Sequence, residues 1–557
     1  MAKEDDAQKR ADRLKRARAL AARGGAAGSA SAPAPPAAPP PPAAAPPAGG
    51  PPRPDPSVWG PPAASPPETN ALIESAQASS SLTTASADAT RSLRASLLDM
   101  ITGLLKPRAA TALPVPVVLP PPEPPLLTVV LAALGGDNDG AAATQLFQVL
   151  TARNALKIKP LAKLFLLDGL DNPAQLSTLA LNTRHAVIEE DGDLLLWGEI
   201  TPDGYCLRLA TPSGEDERFG PAARIELPRE IDETAATLLF AALLAAAEPG
   251  GEARRNALRR LLLPAATALE PVVARPPVAL TMPQQRSVQM VYGHVAAVLS
   301  GLVGPEQANP WADRAVTAYR QAARRLGRTD PPWEAGLLHR AVAAVIAGKA
   351  DRTKEPAALL EESIQEWRAA AEAIPRTSMP QDWAAIQTRL GAALFRLDLM
   401  TGRTELLREA LQTLQSTLQI YTRTETPHRW ADVMHTLAQV LEVYGDQLHN
   451  VEVLQRAVEA CHQVLEIRTR DRTPLTWAAV QNTLGSTLFL LDRHSPEGGH
   501  LAEAEQALSE ALEIFQLHRA RRPAKVAARN LDHVRRLIES RKTRALVAPH
   551  WLHERSR

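Results

Sequence analysis

Two cysteines, a histidine pair near the carboxyl end, one glycine-glycine-aspartate turn and a scatter of carboxylates are the residues of this 557-residue chain whose types suit chemistry. Cys206 and Cys461 lie far apart in different predicted regions. They form neither a metal motif nor a disulfide framework, and they suit a reducing compartment. Cys206 falls in a predicted strand with Arg208 as its basic neighbour, which reads as a buried structural thiol rather than a nucleophile. His550 and His553 stand three apart without a third ligand nearby, so no zinc site is expected. Gly135-Gly136-Asp137 follows a predicted strand, where a phosphate loop can sit. No Gly-x-Gly-x-x-Gly or Walker pattern continues it, and a plain turn is expected. Asp168, Asp171, Glu189, Glu190 and Asp191 fall at turns and a helix end. Catalysis needs convergent groups of defined type. With no nucleophile beside a base, no metal spacing and no phosphate cradle, the sequence predicts no enzyme, no cofactor and no metal.

The bulk properties narrow the class further. With 62 basic and 61 acidic residues the net charge is +1, which argues against nucleic-acid binding, since that needs a clustered basic surface. No run of about 18 apolar residues is present, and the first 25 residues lack the apolar core of a secretory signal. A cytoplasmic protein is expected, and the Ala/Arg/Pro-heavy composition suits a GC-rich bacterial source. Of the 49 prolines, 25 lie in residues 1–125. Residues 1–87 therefore read as a disordered Pro/Ala-rich tail, unable to offset its ordering entropy. Its first stretch, 3–23, carries eight basic and four acidic residues, either a solvated terminus or a short helix for anionic lipid or an acidic partner. In 88–106, Leu93, Leu97, Leu98, Ile101, Leu104 and Leu105 share one helical face. This amphipathic helix either packs back on the folded part or contacts a partner or, peripherally, a membrane. Residues 107–125 follow as a Pro-rich linker.

Residues 126–248 alternate between strand and helix periods, as a small α/β domain does. Strands are expected at Leu126–Leu134, Leu156–Lys159, Asp193–Ile200, Tyr205–Ala210 and Arg224–Leu227. Helices are expected at Ala141–Thr151, at Pro173–Glu190 with Leu176, Leu179, Val187 and Ile188 inward, and at Thr234–Ala247. Thr201-Pro202-Asp203-Gly204 supplies the turn of a hairpin. The segment DGDLLLWGEI followed by GYCLRL resembles the hairpin of TolB-type amino-terminal domains over about 20 residues, with Gly198 and the turn glycine matching. That resemblance implies an interaction module.

After a helical linker, 249–282, tryptophan sets a period. Trp333, Trp383, Trp430 and Trp477 are spaced by 50, 47 and 47. Around three of them Arg-x3-Pro-x2-Trp recurs, from Arg376, Arg423 and Arg470, and Leu390-Gly391, Leu437-Ala438 and Leu484-Gly485 follow. Then come the triads Ala410, Leu414, Thr417; Ala457, Cys461, Val464; and Ala504, Leu508, Ala511. Proline suits a first helical turn, Gly or Ala permits close helix approach, and a repeat-invariant tryptophan reads as packing between units.

This text resembles the tetratricopeptide motif, stretched beyond its standard ~34 residues. The stretch predicts helices near 18–20 residues or longer turns, and leaves a HEAT-like array as a competing architecture. The expected fold is mostly α: a solenoid of about five tetratricopeptide-like hairpins over 283–522, a capping helix 523–541 and a tail 542–557, preceded by the α/β domain. The array is expected to fold without the upstream sequence. By the resemblance, first helices line a concave groove that binds a peptide or protein. The motif positions put Thr388, Arg389, Ala392, Phe395 and Arg396; His435, Gln439 and Glu442; and Asn482, Ser486 and Phe489 on that lining. The functional expectation is a non-catalytic interaction scaffold. The alternative is a sensor or regulatory subunit whose α/β domain binds a small ligand.

Overall fold

The computed structural model describes residues 125–166, 173–212, 223–248, 250–302, 309–496 and 499–547. The expected tail and amphipathic helix, the linker up to Pro124, and His550 and His553 lie outside the described residues.

Strand β1 (Leu127–Ala133) is a continuous apolar run because both of its faces are covered. Leu127, Val129 and Leu131 point into one core, whereas Val130 and Ala132 point into a second with Val187, Leu195 and Trp197. The first face carries α1 (Ala141–Thr151) through Leu146 and Leu150. The second carries α2 (Pro173–Glu189) through Ala186 and Val187. β1 sits between β2 (Leu156–Leu164) and β3 (Leu194–Thr201), parallel to both. β3 turns back antiparallel into β4 (Gly204–Ala210), and β5 (Ile225–Pro228) completes the order β2-β1-β3-β4-β5. Gly198 has φ 153°, and a Cβ there would meet the Cys206 carbonyl on β4, so glycine is required within the hairpin.

Two local expectations need correction. β2 runs to Leu164, past the expected Lys159, because its pairing with β1 continues through Ala133 opposite Leu164. Ile188, expected inward, is 61 % exposed, whereas Val187, also expected inward, is buried against the sheet. The Gly-Gly-Asp segment is a turn. Asp137 accepts hydrogen bonds from the Ala142 and Ala143 N–H groups at 3.1 and 2.8 Å, so the chain's own carboxylate fills the helix end.

Helices α3 (Glu233–Ala246) and α4 (Glu252–Ala274) lead into the repeats. Five helical hairpins follow: α5 (Met282–Leu302) with α6 (Trp311–Ala323), α7 (Pro332–Ala350) with α8 (Ala357–Ala373), α9 (Pro380–Thr401) with α10 (Thr404–Thr417), α11 (Pro427–Leu448) with α12 (Val451–Leu465), and α13 (Pro474–His494) with α14 (Leu501–Leu517). The long helix α15 (Arg521–Val547) packs on α14. No described helix is long and apolar enough to cross a membrane. First helices have 19–22 residues and second helices 13–17, so the first helix takes up much of the extra unit length.

The array is not separate from the sheet. One continuous core runs from Leu127 and Leu239 through Leu262 and Val291 to Leu338 and Ile346. Cutting the chain before α5 would expose that apolar face.

Each repeated residue has a packing reason. A Cβ on Gly391 would meet Leu414 at 2.8 Å, and one on Gly485 would meet Leu508 at 2.5 Å. In the intervening unit Ala438 replaces the glycine, and the smaller Cys461 stands where the others have leucine. Volume lost on one helix thus matches volume gained on the other. Gly485→Ala gains about 1 kcal/mol of helix propensity but overpacks the contact at a cost of about 1–3 kcal/mol, so the melting temperature should fall. Leu508→Cys should relieve it. A double-mutant cycle from urea unfolding should give a favourable coupling of about 1 kcal/mol; strictly additive effects would refute the size match.

Candidate functional site

Most of the residues expected to line an open groove are buried or half-buried, and several of them meet polar side chains of neighbouring helices. Arg396, Gln439, Glu442, Asn482 and Ser486 are buried, as are Phe395 and Phe489; Thr388, Ala392 and His435 are half-buried, and Arg389 is exposed. Thr388 Oγ1 donates to its own helix at the Ala384 carbonyl, 2.8 Å away. His435 Nε2 lies 3.1 Å from Thr483 Oγ1 on α13. Asn530 on α15 donates to Asn482 Oδ1 at 3.3 Å, and Ser486 Oγ donates to the Thr483 carbonyl at 3.0 Å. Further along these helices, Asp446 pairs with His494 at 3.0 Å and Asp492 with Arg541 at 2.5 Å. From α9 to α13 successive first helices pack on one another, so facing polar side chains there meet each other. Among the eight polar candidates Arg389 is exposed, and Arg396 borders a cavity.

Glu442 is the extreme case, at 0 % exposure. Ser486 stabilises its charged form, yet neither carboxyl oxygen has a hydrogen bond of full geometry among the described residues. Burial, with Asp446 nearby, pushes its pKa up to about 8. Burial beside Arg468 pushes His435 down to about 4. Both side chains are therefore neutral near pH 7 in the folded chain, as an interior of low polarity demands. Cys461 and Cys206 are held as thiols by burial, the latter up to about 12.

The sign of the resulting pH effect is fixed. The folded state keeps the Glu442 proton that an unfolded chain loses from pH 4.5 upward, so its contribution to stability is full below pH 4.5 and lost as pH rises to about 8. The slope is at most about 1.4 kcal/mol per pH unit. Glu442→Gln keeps the shape without the proton. The drop in melting temperature between pH 6 and 8.5 should be smaller in this variant than in the wild type; an equal drop would mean that Glu442 is ionised when folded.

Two cavities border charged residues. The first lies where β5 meets α5 and α7 and has a volume of about 70 Å3. Its charges are committed to each other. Glu334 on α7 accepts from Arg224 and, at 2.9 Å, from Arg286 on α5. Arg286 also pairs with Asp330 at 3.0 Å, and Arg340 reaches Asp382 on α9 at 2.9 Å. Burial raises the Glu334 pKa, and the two arginines pull it back. This network fastens the sheet edge to the first two hairpins. Breaking one member leaves buried charge uncompensated, so Glu334→Ala should lower stability by about 3–5 kcal/mol in urea denaturation; a loss under 1 kcal/mol would show that the arginines are solvated.

The second cavity measures about 770 Å3. It is bounded by the α7–α8 turn from Asp351 to Pro356, by Arg396 and Met400 of α9, and by Arg522, Lys525, Val526 and Arg529 of α15. Three hairpins separate α15 from α8 along the chain, so the coil must wind back on itself to bring them together. Sequence reading found Arg396 but missed the other cations. The available signal was the placement of Arg521, Arg522 and Lys525 at the start of a predicted helix, the end where cations are unfavourable.

No protein-family profile matches the chain, and no curated protein does. Among solved structures it is similar to the apo form of RapI, at 11 % identity and a TM-score of 0.31, covering 72 % of this chain and 98 % of that one. It is also similar to a circular tandem repeat protein with novel repeat topology, at 14 % identity and 0.22, covering 67 % and 92 %. A Rap protein complexed with competence and sporulation factor matches at 12 % identity and 0.19, covering 55 % and 99 %. Overlaps this loose place no function on this chain.

Proposed function

We propose that the protein is a cytoplasmic, non-catalytic scaffold whose helical-repeat coil takes up a segment of a peptide or protein partner. The observation that carries this reading is the cavity of about 770 Å3 between the α7–α8 turn, α9 and α15. A volume in the range of about 300–1,000 Å3 suits a ligand-sized occupant, and this one opens onto exposed residues such as Thr353 and Lys354. The competing reading gives the α/β domain a small ligand. Its neighbouring cavity, at about 70 Å3, is far below that range and its charges are already paired. The mixed sheet with its β3–β4 hairpin supports a TolB-like interaction module on that side, fused to the coil through a shared core.

Because the core is shared, the test uses the full chain. Thr353→Trp places a large side chain at the cavity wall from an exposed turn, so folding should be unaffected. A partner captured by the wild-type protein and identified by mass spectrometry should bind this variant at least tenfold more weakly by calorimetry, with the melting temperature unchanged. Undiminished binding of that partner would remove the cavity from the function.

A further inference from the structure

We propose that the occupant of the α7–α8–α9–α15 cavity is an acidic peptide segment of a partner protein, an inference that rests on the scaffold reading above and supplies its chemistry. Five cations border the cavity, Lys354, Arg396, Arg522, Lys525 and Arg529, against two carboxylates, Asp351 and Glu355. Asp351 is already engaged by Arg396. Arg396 is 4 % exposed, and its Nε has no hydrogen-bond partner among the described residues. The guanidinium is thus held in place at the cavity wall by Asp351, and it adds a fixed positive charge to the field there. Lys354, Arg522 and Lys525 are exposed and take part in no ion pair among the described residues.

The backbone adds to the same field. The amino-terminal end of α8 opens on the cavity at Pro356 and Ala357, has no side-chain cap and carries no acidic residue in its first turn. α15 also lacks an acid there and carries Arg521 and Arg522 instead. Two positive helix ends and an excess of cations thus converge on one space. Each cation at a helix amino terminus works against the helix dipole, an expense the fold does not need for its own packing. Local rules broken together at one place mark a site.

The shape selects among anions. At about 770 Å3 the space is far larger than a single inorganic anion needs. No aromatic side chain borders it, so a nucleobase has nothing to stack on. Met400, Val526, Pro356 and Ala357 give apolar wall between the cations, as a chain alternating carboxylates with methylene stems requires.

The test is fluorescence anisotropy of fluorescein-labelled hexaglutamate with the full-length protein at low salt. Hexaglutamate should bind with a micromolar Kd that weakens on adding salt, and hexaglutamine should not bind. Arg522→Glu with Lys525→Glu should raise the Kd at least tenfold without lowering the melting temperature, since acids at this helix start favour the helix. Lys157→Glu with Lys163→Glu makes the same change in net charge on β2 and should leave the Kd unchanged. Absence of hexaglutamate binding, or equal binding to both double variants, overturns the proposal. Displacement of the peptide by inorganic phosphate at equal or lower concentration also overturns it, because the cavity then reads phosphate. A captured protein partner separates this from the scaffold reading. If Thr353→Trp abolishes its binding and the Arg522/Lys525 reversal does not, the cavity binds a partner that is not acidic; if neither does, the cavity reading itself fails.

Discussion

The structure depends on how closely the two helices of one hairpin approach. A second-helix leucine reaches the backbone of the first helix only where that helix carries no side chain larger than a methyl group. Gly391 faces Leu414 and Gly485 faces Leu508 in this way, and Gly293 meets the Tyr319 ring at 2.5 Å from where its Cβ would stand. With the pair fixed at this separation, the ridge of each first helix presents its remaining side chains to the next unit. Polar residues there are forced into contact, and the buried seam from His435 to Asp492 is the result. Its neutral Glu442 and His435 follow from burial, not from any catalytic arrangement.

The repeat was legible because its signals are local and recur. Proline at the start of each first helix, the glycine or alanine three turns further on, and the small-large-small triad each encode a backbone position or a contact inside one hairpin, and all nine triad residues are almost fully buried. The sheet was legible for the same reason: β1 and the β3–β4 hairpin declare themselves by period and turn chemistry. Tetratricopeptide-like spacing fixed the helix pairs but not the pitch of the coil. Pitch decides whether a first-helix residue such as Gln439 sees water or a neighbouring helix. It arises from many small inter-unit rotations that no single residue encodes. The same ignorance of pitch hid the cavity, whose walls come from segments three hairpins apart.

The junction teaches a related point. Composition and period placed a boundary between the α/β domain and the repeats, since the hydrophobic period changes there. Physically, the apolar faces of α3, α4 and α5 meet in one core, and Arg224, Arg286 and Glu334 stitch its edge. A change of period marks where element types change; it does not mark where a core ends.

The arginine of each recurring Arg-x3-Pro-x2-Trp segment joins neighbouring units in a constant way. Arg376, Arg423 and Arg470 stack over Trp383, Trp430 and Trp477 at 4.8, 5.8 and 5.6 Å. Each also reaches forward 43 residues, to Gln419, Glu466 and Glu513 respectively. Joints built to one pattern make the units interchangeable steps on a staircase. A step of 47 residues could be removed or duplicated with these arginine joints preserved. The cavity has no such tolerance, because it exists only where α15 comes round to face the α7–α8 turn. Unit number is therefore the dimension that sets this cavity: a chain one step shorter or longer would keep the architecture and lose the alignment of the walls.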